Sequence, residues 1–203
     1  MQLCVRILKK IYECYNMPIK FNLGKYTNNN YFIETGTYIG DGVKKAMEAG
    51  FKNIISIEFD NNRYLECKDM FKNHDNVLIV KGDSGEVLPD ILKDIDEPAT
   101  FFLDAHYCGD NAEISDKWCP LDKELQAIKN HKIDSHTILI DDWRCMDNTH
   151  IDYSVKEEGI EVGFLGKQNC IERLKEINSD YNISFLEGVI EDDVLCCEIK
   201  PKN

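Results

Sequence analysis

The 203-residue chain suits one domain with small additions, and 43% hydrophobic residues fits a globular protein with a sizeable core rather than a disordered one. A formal net charge of -13 disfavours a nucleic-acid backbone as the main partner, because phosphate binding rests on clustered Lys and Arg, and the chain offers little beyond Lys9-Lys10 and Lys44-Lys45. The acidity suits a cationic ligand, and it suits plain solubility as well.

In chain order, residues 1–26 read as a helical lead-in and 27–203 as a single domain. Residues 31–35 (YFIET) read as a buried strand, followed by a glycine turn and a helix from Gly42 to Ala49. A strand over 53–58 (NIISIE) leads to a helix over 61–72. A strand over 76–80 (NVLIV) leads to a helix from Glu86 to Ile95. A strand over 100–104 (TFFLD) precedes a long polar segment, Tyr107 to Pro120, expected to lid a substrate, with Tyr107 and Trp118 as stacking or anchoring aromatics. A helix over 121–130 and a strand over 137–141 (TILID) follow, and Trp143 could wall the acceptor site. A helix at 168–178 leads to two runs, 182–187 and 194–199, separated by Glu191-Asp192-Asp193 and read as a closing antiparallel hairpin. Strands alternating with amphipathic helices imply an α/β fold: a mostly parallel, seven-stranded Rossmann-like sheet with helices on both faces.

The nine cysteines contain no C-x-x-C pair, which argues against structural zinc and for thiols in a reducing compartment. Cys108 and Cys119 flank one loop and could form a conditional disulfide. Met1 to Ile11 lacks the apolar core and cleavage site of a secretory signal, and no stretch is long enough to span a bilayer. A cytoplasmic protein without membrane contact is the expectation.

In doubly wound sheets ligands bind outside the carboxyl ends of the strands, so the residues there carry most weight. They are Glu34, Glu58, Asp83, Asp104 and the pair Asp141-Asp142. Each alone is an ordinary helix cap or solvated loop end; five consecutive strands ending in carboxylates point to a ligand site. The first turn, Glu34-Thr35-Gly36-Thr37-Tyr38-Ile39-Gly40-Asp41-Gly42, allows close backbone approach to a ligand, but it is not the G-x-G-x-x-G of dinucleotide enzymes. Glu58 stands where a carboxylate can accept both hydroxyls of a ribose, and Asp83 where an adenine amino group could donate to it.

The series ETGTYIGDGV, ISIEFD, KGDSGEVLPDIL, FFLDAHY and ILIDDW resembles the motif order of class I S-adenosylmethionine (SAM)-dependent methyltransferases over about residues 30–145. It is most similar to the metal-dependent O-methyltransferases of the catechol and macrolide-sugar kind. The resemblance implies that Glu34 and Gly36 lie along the methionine part of SAM, with Tyr38, Gly40 and Phe59 in the same pocket. It places Glu58 on the ribose and Asp83 with Ser84 at the adenine. Asp104, shared with the cofactor pocket, would join Asp141 and Asp142 in binding a divalent cation, magnesium in those relatives. Three converging carboxylates repel one another unless protonated or bridged, and hard oxygen ligands suit such an ion.

The chain departs from the catechol-type pattern where a lysine base is expected, since Tyr107 holds that position. His106 is the substitute base, beside Asp104 in the catalytic role, with metal ligation or a structural role as alternatives. The reading is a metal-assisted O-methyltransferase acting on a small hydroxylated molecule, sugar or phenol-like. The alternatives are a SAM-binding module without catalysis and a nucleotide-sugar or NAD-binding enzyme. Partners would be the small acceptor alone, with a homodimer left open.

Overall fold

The computed structural model describes residues 19–106, 119–146 and 165–199. The helical lead-in before Ile19, the lid with Tyr107 and Trp118, and the Cys108–Cys119 pairing lie outside the described residues.

Five strands are short runs rich in β-branched and aromatic residues: β1 (Tyr31–Thr35), β2 (Asn53–Glu58), β3 (Val77–Lys81), β4 (Ala99–Leu103) and β5 (Thr137–Ile140). They pair in parallel. Near-continuous apolar character is what a strand covered on both faces requires. The helices α1 (Asp41–Ala49), α2 (Asn61–Phe71), α3 (Ser84–Leu92), α4 (Leu121–Lys129) and α5 (Lys167–Ile177) alternate with them. The closing strands β6 (Asn182–Leu186) and β7 (Val194–Glu198) form the expected antiparallel hairpin, with β7 docked on β5. The sheet order is β3-β2-β1-β4-β5-β7-β6.

Alternation along the strands divides the core in two. Phe32, Ile54, Phe102 and Leu139 face Val43 and Ala46 of α1 and Cys67 and Phe71 of α2. Ile33, Ile57, Phe101 and Ile138 face Leu88 of α3, Leu125 and Ile128 of α4, and Leu174 of α5. Helices therefore cover both faces, and the chain changes sides between β1 and β4. That reversal opens a crevice at the carboxyl ends.

The third helix starts earlier than its sequence suggests. Asp83 caps it, accepting from the Gly85 amide at 2.9 Å, so Ser84 and Gly85 already belong to α3. At the opposite edge of the sheet the Ala99 amide donates to His136 Nδ1 at 3.0 Å. This bond leaves the His136 proton on Nε2, which donates to His131 Nδ1 at 3.0 Å, and His131 Nε2 donates to the Ile95 carbonyl at 3.0 Å. Burial, aided by His131, pulls the pKa of His136 down to about 4.

Candidate functional site

The turn after β1 is built around a buried carboxyl. Glu34 is 2% exposed, and its Oε2 accepts from Ser56 Oγ at 2.5 Å. Ser56 in turn meets Thr37 Oγ1 at 2.6 Å. The first turn of α1 rests on this carboxyl so closely that a Cβ on Gly42 would lie 1.7 Å from Glu34 Oε1. Burial, against the Ser56 bond and reinforced by the charges of Asp104 and Glu58, pushes Glu34 up to about 8. Gly36 turns at φ +86°, and a Cβ there would lie 2.4 Å from the Asp104 carbonyl oxygen. The ends of β1 and β4 are thus pressed together, with the Asp104 amide donating to Thr35 O at 3.1 Å and Thr35 Oγ1 at 3.2 Å.

Glu58 ends β2 as expected. Its two oxygens accept the Tyr38 amide at 2.8 Å and the Asp60 amide at 2.7 Å. Burial raises its pKa, against those two amides and the Arg63 charge. Tyr38 holds a left-handed backbone, φ +50°, with the Arg63 guanidinium 4.4 Å from its ring centre. Beside it, Lys81 bonds the Phe59 carbonyl and lies 4.9 Å from the Phe59 ring centre. Asp83 is committed to capping α3. Ser84 is buried and gives its hydroxyl inward, to Glu124 Oε1 at 2.5 Å.

Glu124, 1% exposed, joins α4 to this rim. It bonds both Ser84 and Thr35, and burial, against those bonds and with the charges of Asp83 and Asp104, raises it to about 7.

The strand-four and strand-five acids meet. His106 Nδ1 lies 3.3 Å from Asp104 Oδ1, and its Nε2 lies 2.6 Å from Asp142 Oδ2. Asp142 also has a left-handed backbone, φ +53°, and its Oδ1 pairs with Arg144 Nη1 at 2.6 Å. Arg144 pairs in turn with Asp193, whose carboxylate also accepts the Arg144 and Val189 amides, each at 3.2 Å. Asp141 Oδ1 accepts the Asp142 amide at 2.9 Å. Burial and the charges of Asp104 and Asp142 raise Asp141 well above the carboxylate range. Burial alone would raise Asp142 as well, but His106 and Arg144 outweigh it and hold that carboxyl low. Potential ligand atoms of Asp104, His106 and Asp142 lie within 4.8 Å of one another, as do those of Asp141, Asp142 and Asp193.

Of the residues expected from sequence, Asp104, His106 and Asp142 come together directly, and Asp141 joins through Asp142. Trp143 is buried against Phe185 of β6, ring centres 5.8 Å apart, and packs the sheet end. Sequence reasoning missed Glu124, Arg144 and Asp193. Glu124 had a readable signal: it shares the buried stripe Leu121, Leu125, Ile128, where a carboxylate is out of place. Asp193 had none, being one of three consecutive acids in a turn.

No protein-family model and no curated protein matches the chain. Among solved structures, an O-methyltransferase from Bacillus cereus in complex with S-adenosylhomocysteine (SAH) superimposes with a TM-score of 0.58 at 15% identity, covering 95% of this chain and 81% of its own. An SAH-bound methyltransferase from Podospora anserina gives 0.52 at 13% identity, covering 96% of this chain and 88% of its own. Fibrillarin from Aeropyrum pernix, with natively bound SAM, gives 0.53 at 10% identity, covering 85% of this chain and 68% of its own. With the strand order and closing hairpin, these likenesses identify the fold: it is the Rossmann-like fold of class I SAM-dependent methyltransferases.

Proposed function

We propose that the chain is a SAM-dependent methyltransferase that places a methyl group on a hydroxyl of a small molecule, assisted by a divalent cation. The observation that carries this is the meeting of Asp104, His106 and Asp142 at the carboxyl edge of a fold whose solved neighbours hold SAM or SAH.

The residues present are of the kinds both groups would need. The turn through Gly36, Tyr38 and Gly40, packed against the Asp104 backbone and the Phe71 ring, would run along the methionine part of the cofactor. Each Glu58 oxygen accepts one amide and keeps a lone pair for a ribose hydroxyl. Phe59 and Asp83 would border the adenine, with Ser84 next to them turned inward to Glu124. Asp104, Asp141 and Asp142, the residues that would hold the cation, are the hard-oxygen kind that suits magnesium or manganese; the Asp142 oxygens face His106 and Arg144, so an ion would take the place of one of those contacts. When bound, such a cation would lower the pKa of the acceptor hydroxyl and hold it for in-line attack.

The chain's own work is orientation and proton transfer. With its Nε2–H donated to Asp142, His106 takes the hydroxyl proton on Nδ1, and the positive charge that results is met by Asp104 on that side and Asp142 on the other. Arg144 and Asp193 fix the Asp142 carboxylate. Holding acceptor and methyl donor in line recovers roughly 7–11 kcal/mol of barrier in well-oriented systems.

Calorimetric titration with SAM, against NAD as comparator, tests the cofactor. Methyl transfer to a panel of sugars and phenols, with magnesium or a chelator, tests the rest. The reading expects SAM binding and chelator-sensitive turnover that Asp104→Ala and Asp141→Ala abolish. NAD binding in place of SAM would refute it, and turnover untouched in both variants would remove the metal site.

A further inference from the structure

Two buried carboxyls flank the cofactor turn, and among the described residues no cation bonds either. Glu34 lies on one face of β1, with Ser56 and Glu58 of β2, Asp41 of α1 and Asp104 after β4 around it, and with Cys67 of α2 within its field. Glu124 lies on the other face, with Thr35 of β1, Asp83 and Ser84 of α3, Asp104 and Cys119 around it. Neighbouring charged groups are engaged elsewhere: Lys44 pairs with Asp41, Lys123 with Glu86 and Asp122 with Arg173. Among the described residues no Lys, Arg or His bonds either carboxyl; both bond only hydroxyls. A buried, unpaired carboxylate is costly enough that the group keeps its proton instead.

Resting on the methyltransferase reading, we infer that Glu34 and Glu124 make the pocket respond to the charge of its cofactor. In the cofactor-free protein both hold their protons more tightly than exposed carboxyls do; they surrender protons to solvent when the sulfonium binds and recover them once transfer leaves a neutral thioether. In transfer the acceptor oxygen's lone pair forms the new O–C bond, and the S–C bonding pair stays on sulfur, which becomes uncharged. The acceptor proton leaves through His106 to solvent, and the protons returning to the carboxyls come from solvent. With its cation gone, the buried anion is again unfavourable, so the device favours SAM over SAH and promotes product release. The burial of both groups, which brings Glu34 up to about 8 and Glu124 to about 7, puts this exchange near neutral pH.

The test is calorimetric titration of the whole chain with SAM and with SAH, near neutral pH, in phosphate and in Tris. Because the two buffers differ in ionisation enthalpy, the difference in heat counts protons exchanged. The expected result is proton release on SAM binding that exceeds that on SAH binding, with the excess reduced in Glu34→Gln and Glu124→Gln. Equal proton counts for the two ligands in the wild-type protein overturn the inference without needing either variant to fold. So does an excess that survives undiminished in both variants. Absence of binding by either ligand is a separate result: it overturns the methyltransferase reading, and this inference with it.

Discussion

Lowering the pH should destabilise the fold through a group far from the candidate site, His136. Its ring is buried at the start of β5; Nδ1 accepts the Ala99 amide and Nε2 donates to His131. Protonating Nδ1 would replace an acceptor with a donor facing that amide, and would bury a charge beside a second imidazole. The folded protein resists this down to about pH 4, whereas the unfolded chain takes the proton near 6.5. Between those values the unfolded state binds more protons, so the His136 contribution is whole above 6.5 and shrinks as pH falls towards 4. At about 1.4 kcal/mol per pKa unit, the loss approaches roughly 3 kcal/mol. Glu34 and Glu124 act in the opposite sense. Their folded pKa values lie above the unfolded ones, so their contribution is whole below 4.5 and is lost as pH rises through about 8 and 7. The net wild-type profile therefore cannot isolate His136, but a difference can. In the His136→Asn variant the side-chain oxygen can stand in for Nδ1 as the amide's acceptor, and nothing titrates. Urea denaturation of both proteins at intervals from pH 7 to 4 should show the variant losing less stability than wild type, the gap closing by up to about 3 kcal/mol. A constant gap would refute the argument.

Gly36→Ala should destabilise by about 2–4 kcal/mol in urea melts, combining a left-handed non-glycine residue with a contact against the Asp104 backbone that no side-chain rotation relieves. Asp193→Ala should cost about 3 kcal/mol, since it strips a buried partner from the Arg144 guanidinium and from two amides. It should also weaken manganese binding, followed by electron paramagnetic resonance, more than it weakens SAM binding. Glu58→Ala should lower SAM affinity about 10- to 100-fold by calorimetry, the worth of hydrogen bonds to a charged acceptor. Affinity within about twofold of wild type would remove Glu58 from the ribose.

Why these features were visible to different degrees follows from how each is encoded. YFIET, NIISIE and TILI are short, mostly apolar and bounded by polar turns, and a parallel strand covered on both faces needs little else. The rim acids followed from the strands, because in this topology the carboxyl ends share one edge. What the linear pattern lacked was direction. Asp83 stands at the rim, yet its side chain closes the first turn of α3, and Ser84 points inward to Glu124. Both facts depend on which way a cap turns, not on which residue follows the strand. The Arg144–Asp193 pair spans 49 positions and forms only because β7 docks beside β5. No local spacing announces it.

The distribution of charge at this edge gives the site its character. Glu34, Glu58, Asp104, Glu124, Asp141 and Asp142 crowd the ends of the strands, while the cations that touch any of them among the described residues are His106 and Arg144, with Arg63 near Glu58. A fold selected for stability alone gains little from such a cluster, since apolar residues of similar size would avoid the desolvation penalty. Protonation relieves part of the strain at Glu34, Glu124 and Asp141, and the imidazole and guanidinium relieve Asp142. What the described residues leave is a surplus of negative charge at this edge. A sulfonium over the Gly36 turn and a divalent ion beside Asp104 would meet it at the two places where the carboxyls gather, and would stabilise the folded state by their binding free energy. Electrostatic cost in the empty protein and recognition in the loaded one are, on this view, the same property of the rim.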